Sequence, residues 1–205
     1  MILRRLVLAS ASPRRLELLR SLGLEVGVRP SGYEEPDLPG TTPLELAISH
    51  ARSKASLLRQ AQDDALASEL VVAADTVVDL DGVALGKPAD GPDAARMLRA
   101  LSDRDHLVHT AFALAVPHRS GLVEADSTTR VRFRKLSDDD IAEYVASGEP
   151  MDKAGAYGIQ GRAAALVESI SGDFYTVMGF PLGRFILTLK TLGFSLPIAK
   201  EAPNE

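Results

Sequence analysis

The run Leu70–Val71–Val72–Ala73–Ala74, followed directly by Asp75–Thr76 and Val77–Val78, constrains this chain more than any other stretch. Apolar residues on both parities cannot leave one face in water, so the run reads as a central strand buried within a sheet. Asp81–Gly82 is a hairpin turn signal, and Val83–Ala84–Leu85 returns as the partner strand before Gly86–Lys87–Pro88. Lys87 then lies near the open end of the hairpin that carries Asp75. A carboxylate in such a run is costly to bury without a partner. Asp75 is therefore a functional acid, or a structural one that accepts backbone N–H bonds at a strand bend.

A second strand, Leu6–Val7–Leu8, runs into Ala9–Ser10–Ala11–Ser12–Pro13–Arg14–Arg15 and then into the helical spacing Leu16, Leu18, Leu19, Leu22. Ser12 suits the N-cap and Pro13 the first helical position, where a missing N–H costs nothing. Small residues let a ligand approach the backbone, and the helix N-terminus offers free N–H groups and partial positive charge. Arg14 and Arg15 sit in a first turn that ordinarily favours acids. Two readings stay open here: a pocket for an anion such as phosphate, or two solvated surface arginines.

Gly23 is placed to end that helix, and Leu24–Val28 is a further short strand. The loop Pro30–Asp37 is acidic, with Glu34 and Glu35 adjacent. Carboxylate oxygens are hard ligands for Mg²⁺ or Mn²⁺, although such a loop is also stable simply solvated. Thr42–Pro43–Leu44–Glu45 is a capping box, opening a helix to about Gln60 with an apolar stripe Leu44, Ile48, Ala51, Ala55, Leu58. Arg52 and Lys54 lie off that stripe, where either can point into a cleft. Asp63 to Ser68 reads as a polar connection, and Pro92–Leu101 as a helix. His106–Val116 and Val123–Phe133 alternate as two long strands joined around Gly121, with Thr128, Arg130, Arg132 and Arg134 on one parity. Ser137 caps a helix to about Ser147. Gly148 to Gly161 is a Gly-rich segment carrying Lys153 and Gln160, whose backbone can approach a ligand. Ala163–Ile170 reads as a strand, Gly172–Asp173 as a turn, and Gly179–Phe180–Pro181 as the start of a last helix to about Thr191.

Composition removes several classes. With 205 residues, 45% hydrophobic and 25% charged, the chain suits one globular domain, bilobed over 1–195, with a polar C-terminal tail at 196–205. There is no cysteine, which excludes disulfides, zinc thiolates and thiol catalysis. The net charge of −5 argues against a nucleic-acid coat protein. No apolar run is long enough to span a bilayer, and the apolar part of Met1–Arg15 is too short for a signal peptide, so a cytoplasmic location is expected. The four histidines show no metal-ligand spacing.

Taken together, Ser10–Ala11–Ser12–Pro13–Arg14–Arg15, Ala74–Asp75–Thr76, Gly86–Lys87–Pro88 and Lys153–Ala–Gly–Ala–Tyr–Gly–Ile–Gln–Gly161 closely resemble the Maf family of nucleoside triphosphate pyrophosphatases, from Leu6 to about Leu192. The resemblance implies an α/β fold like the inosine-triphosphate pyrophosphatases: a mixed, strongly bent sheet flanked by helices, with two lobes around a cleft. It also implies a divalent metal (Mg or Mn), hydrolysis between the α and β phosphates of a nucleoside triphosphate, homodimers, and a link to septum formation. By the same resemblance Asp75 is the catalytic acid, activating water or holding the metal. Glu35 is the metal-associated acid, an alignment that Glu34 leaves ambiguous by one. Ser10, Arg15, Lys54 and Lys87 contact phosphate. Arg14, Thr76 and Gln160 set base preference, and their identities are those of the dTTP/UTP branch rather than the 7-methyl-GTP branch. The amide of Gln160 can accept from N3–H of uracil or thymine and donate to a neighbouring carbonyl, contacts that cytosine does not offer. A non-enzymatic nucleotide-binding regulator of division is the alternative from another class.

Overall fold

The computed structural model describes residues 1–36, 38–60 and 68–197. Strand β1 (Arg5–Leu8) leads through the serine turn to helix α1 (Pro13–Arg20), then β2 (Glu25–Val28), α2 (Pro43–Gln60), β3 (Val71–Leu80), β4 (Val83–Leu85), α3 (Gly91–Leu101), β5 (Asp105–Ala115), β6 (Val123–Phe133) and α4 (Asp138–Ala146). Three short 3-10 turns follow, and the described chain ends in β7 (Val167–Ser171), α5 (Phe174–Met178) and α6 (Leu182–Thr191). The strands make one mixed seven-stranded sheet in the order β2-β1-β3-β5-β6-β7, with β4 also on β3. β1 is parallel to β2 and β3, and the remaining pairs are antiparallel.

The sheet explains the cleft. β5 pairs with β3 along nearly its whole length, but β1 pairs only at Val71 and Val72 and β4 only from Val78 onward. Between those two partners, residues 73–77 border no strand on that edge, and the groove opens there. The turn that brings β4 back has positive φ at both Asp81 (55°) and Gly82 (83°), the mirror-image geometry whose twist matches that of the strands.

One face of β3 and β5 carries two apolar clusters rather than one. Leu6, Leu8, Val72, Phe112, Phe180 and Phe185 form the first, and Val78, Leu98, Val108, Val131, Phe133 and Tyr157 the second. Between them the register sets Thr76, Thr110 and Ser127 side by side across three strands. Thr110 donates to the Thr176 carbonyl at 2.7 Å, while the Thr176 hydroxyl donates to the Asp173 carboxylate at 2.9 Å and accepts from Ser127 at 2.8 Å. Thr110 and Thr176 are buried, Thr76 and Ser127 partly so, and each hydroxyl has a partner, so a satisfied polar belt divides the core. The opposite face is covered by α2, whose Ala47, Ala51 and Ala55 pack on Ala73, Ala111 and Ala113.

Three expectations are corrected. The buried face of α2 is Ala47, His50, Ala51, Lys54, Ala55 and Leu58, so Lys54 lies on it rather than off it. The alanines of the sheet let the helix sit close, and this favours the small face over the Leu44–Ile48 side. Residues 161–166 form a 3-10 turn, and the strand begins only at Val167. The last helix is preceded by a separate short one, α5, capped by the Asp173 side chain and closed by Gly179 at φ 107°. Of the basic residues on the Thr128 parity, Arg130 is exposed with Asp105 at 3.9 Å, Arg132 meets Asp103, Asp105 and Glu168 at 3.0–3.5 Å, and Arg134, just beyond β6, meets Asp140 at 2.8 Å. The polar connection at 63–67 and the tail from 198 lie outside the described residues.

The second cluster carries a pH-sensitive histidine. His106 is 3% exposed; its Nε2 is 2.6 Å from the Tyr157 hydroxyl and its Nδ1 has no hydrogen-bond partner. Burial pulls its pKa from 6.5 down to about 4, against a small opposing effect of Asp105. The folded protein therefore refuses a proton that the unfolded chain accepts below pH 6.5, and stability is lost as pH falls from 6.5 toward 4. That shift amounts to about 3 kcal/mol. Urea denaturation of a His106→Gln protein is expected to show a flatter stability profile across that window. A His106→Gln profile as steep as the parent's would remove the histidine from the acid sensitivity.

Candidate active site

The gap on the β3 edge opens into a cleft of about 1030 Å³, and all nine candidate residues line it: Ser10, Arg14, Arg15, Glu35, Lys54, Asp75, Thr76, Lys87 and Gln160. Arg15 is held from three sides. Its Nε donates to the Gly179 carbonyl at 2.9 Å, Nη1 to Ser10 Oγ at 3.3 Å and Nη2 to Thr76 Oγ1 at 3.1 Å. The turn holds because Ser12 Oγ caps α1 by accepting from Arg15 N–H. Burial lowers the Arg15 pKa, and the charges of Asp75 and Glu35 counter the shift. A guanidinium still carries its charge under these conditions. Arg15 is thus a fixed cation at a helix N-terminus, an arrangement suited to an anion.

Lys54 reaches across from α2. Its Nζ lies 2.5 Å from Glu35 Oε1 and 2.6 Å from Asp75 Oδ1. Asp75 sits within a buried strand, where burial raises its pKa; the charges of Lys54 and Arg15 and the Lys54 hydrogen bond oppose the shift. For Glu35, partial burial also works against ionisation, but the Lys54 hydrogen bond and charge, with His50 and Lys87, outweigh it and leave the pKa lowered. Glu34 is exposed and does not line the cleft, so of the two adjacent glutamates it is Glu35 that lies at the site. Two carboxylates converging on one ammonium form a donor set that a compact hard cation can share. Among the described residues no group of three or more His, Cys, Asp or Glu is placed to hold a metal. The protein's contribution would therefore be Glu35 and Asp75, a small carboxylate count of the kind Mg²⁺ supplements with phosphate and water.

The remaining candidates take different positions. Lys87 and Gln160 are exposed on the cleft wall. Arg14 lies 3.8 Å from Asp152 across the opening. The Thr76 hydroxyl is already committed. Thr110 spends its proton on the Thr176 carbonyl, so Thr76 donates to Thr110 at 2.9 Å while accepting from Arg15. Its side chain positions Arg15 and anchors the polar belt. The cleft also contains residues to which the sequence reading gave no role, among them Tyr33, His50, Asp152, Lys153 and Tyr157. His50 and Tyr33 bond each other at 3.2 Å. Asp152, Lys153 and Tyr157 shared a local signal, their place in the Gly-rich segment 148–161. The others become neighbours of the site through packing alone.

A family whose sequence model is described as "Maf-like protein" matches residues 5–192. A protein of Thermus thermophilus named dTTP/UTP pyrophosphatase is 50% identical over 189 residues, covering 92% of this chain and 95% of its own length. A protein of Geobacter metallireducens with the same name is 45% identical, covering 92% and 96%. Among solved structures, the Staphylococcus aureus Ham1 protein aligns at 16% identity over 63% of this chain and 72% of its own, with a TM-score of 0.42. No described helix is long and apolar enough to cross a membrane.

Proposed function

Because the chain belongs to the family of Maf-like proteins, we propose that it hydrolyses dTTP and UTP to the nucleoside monophosphate and pyrophosphate. The observation that carries the reading is the meeting of Arg15, Lys54 and Lys87 with the carboxylates of Asp75 and Glu35 in one cleft. A triphosphate brings about four negative charges, and a cationic cradle inside an acidic protein both attracts and orients it. Arg15 meets phosphate as a planar fork, and the two lysines act as point charges.

In the reaction, water adds to the α-phosphorus and the bridging oxygen leaves with pyrophosphate. Asp75 accepts the water proton, and burial favours that step because it raises the carboxylate's pKa. Lys54 balances the leaving charge. A divalent cation held by Glu35 and Asp75 would supply further charge to the phosphoryl oxygens and lower the pKa of water. Gln160, also lining the cleft, accepts from N3–H and donates to a carbonyl of the base.

The test is pyrophosphate release from a panel of triphosphates, with and without chelator. dTTP and UTP are expected to be cleaved well ahead of CTP, ATP and GTP. Activity is expected to vanish on chelation and to return with Mg²⁺ or Mn²⁺. Preference for 7-methyl-GTP, or no turnover of any nucleotide, would overturn the substrate reading; full activity in excess chelator would overturn the metal.

A further inference from the structure

Lys153 lies on the cleft wall formed by the 148–161 segment, the wall that also carries Gln160. Its side chain is 14% exposed, and its Nζ donates to the Glu149 carbonyl and to Asp152 Oδ1, each at 2.5 Å. An ammonium has three N–H donors, and these two acceptors use two of them. The stem that reaches this position runs against Gly158: a Cβ there would stand 3.0 Å from both Cδ and Cε of Lys153. The glycine therefore leaves the path for the lysine, which is held in place from its stem to its tip.

The charge around Lys153 separates it from the phosphate cradle. Glu149 and Asp152 stand beside Lys153, and Asp152 also lies 3.8 Å from Arg14, so the charges here balance one another. A wall with that balance is poor for a triphosphate and good for a neutral ring that needs a strong donor. We propose that the third N–H of Lys153 donates to the carbonyl at position 4 of a uracil or thymine base, making Lys153 a specificity determinant beside Gln160. The inference rests on the pyrophosphatase reading above. Cytosine carries an amino group at position 4, so its donor would face the ammonium donor and both would go unpaired. The two acceptors on Glu149 and Asp152 fix the ammonium, so it does not turn away to relieve that clash.

The experiment measures kcat/KM for UTP and CTP with the parent protein, Lys153→Met and Gly158→Ala, and for 4-thio-UTP and 2-thio-UTP with the parent. A lost or unpaired contact of this kind changes preference by about tenfold or more. The UTP-to-CTP ratio is expected to fall by that factor in Lys153→Met. It should also fall in Gly158→Ala, which keeps the charge, needs no unusual backbone angle, and displaces the lysine tail. The parent is expected to process 4-thio-UTP, whose sulfur is a weak acceptor, less well than 2-thio-UTP. A proportional loss on both nucleotides in Lys153→Met would mean the lysine only anchors its loop and would overturn the inference, as would equal use of the two thio analogues. Should the parent release no pyrophosphate from UTP or dTTP, the pyrophosphatase reading falls and this inference with it. If the parent turns over UTP and the ratio does not move, the inference falls alone.

Discussion

Replacing Asp75 with Asn is expected to lower kcat by about a hundredfold or more, the usual effect of removing a positioned acid or base. The substitution keeps the volume of a side chain that is 6% exposed on a central strand, so the fold has little reason to change. It removes the anion that receives the water proton, and it leaves Lys54 facing one carboxylate and a neutral amide instead of two carboxylates. Because Asn does not ionise, the acidic limb of the parent's pH profile, set by the raised Asp75 pKa, should disappear from whatever activity is left. A folded Asp75→Asn protein with near-parental kcat would take Asp75 out of the mechanism.

Replacing Lys54 with Met is expected to lower kcat/KM by about a hundredfold, since charge-assisted hydrogen bonds each contribute roughly 1.5–3 kcal/mol and Lys54 makes two of them. Met retains the packing of the stem on the buried face of α2. The charge loss has a second, separable effect. Lys54 lowers the pKa of Asp75, so without it burial is opposed by less positive charge and the pKa rises further. The base form of Asp75 is then lost at a higher pH, and the acidic limb of kcat/KM should move upward. Activity within tenfold of the parent, with the limb unmoved, would mean that the Glu35–Lys54–Asp75 contacts are not part of catalysis.

The two substitutions probe contacts that were legible to different degrees. Asp75 stood out because a carboxylate in an apolar run violates the local pattern, and the violation is visible in one line of sequence. Lys54 had no such mark. Its helical position depends on whether the small face or the Leu44–Ile48 side of α2 meets the sheet, and the alanines at 73, 111 and 113 decide that from distant segments. The same holds for Thr76. Its identity is plain in the sequence, but its hydroxyl partners come from Arg15 and Thr110, 61 and 34 residues away.

What the sequence by itself determined was the set of features with short-range causes. Ser12 and Pro13 start α1, the glycine and aspartate at 81–82 impose the turn that returns β4, and Ser137 with Asp140 closes a capping box. Each follows from hydrogen bonds and dihedral limits within a few residues. Only the tertiary structure decided where β1 stops pairing with β3, how the polar belt of Thr76, Thr110 and Ser127 divides the core, and that Lys54 rather than bulk water faces Asp75. Those outcomes depend on strand register and helix docking between segments far apart in the chain. The free energy that selects them is the burial of one element against another, which has no counterpart in any single stretch of sequence.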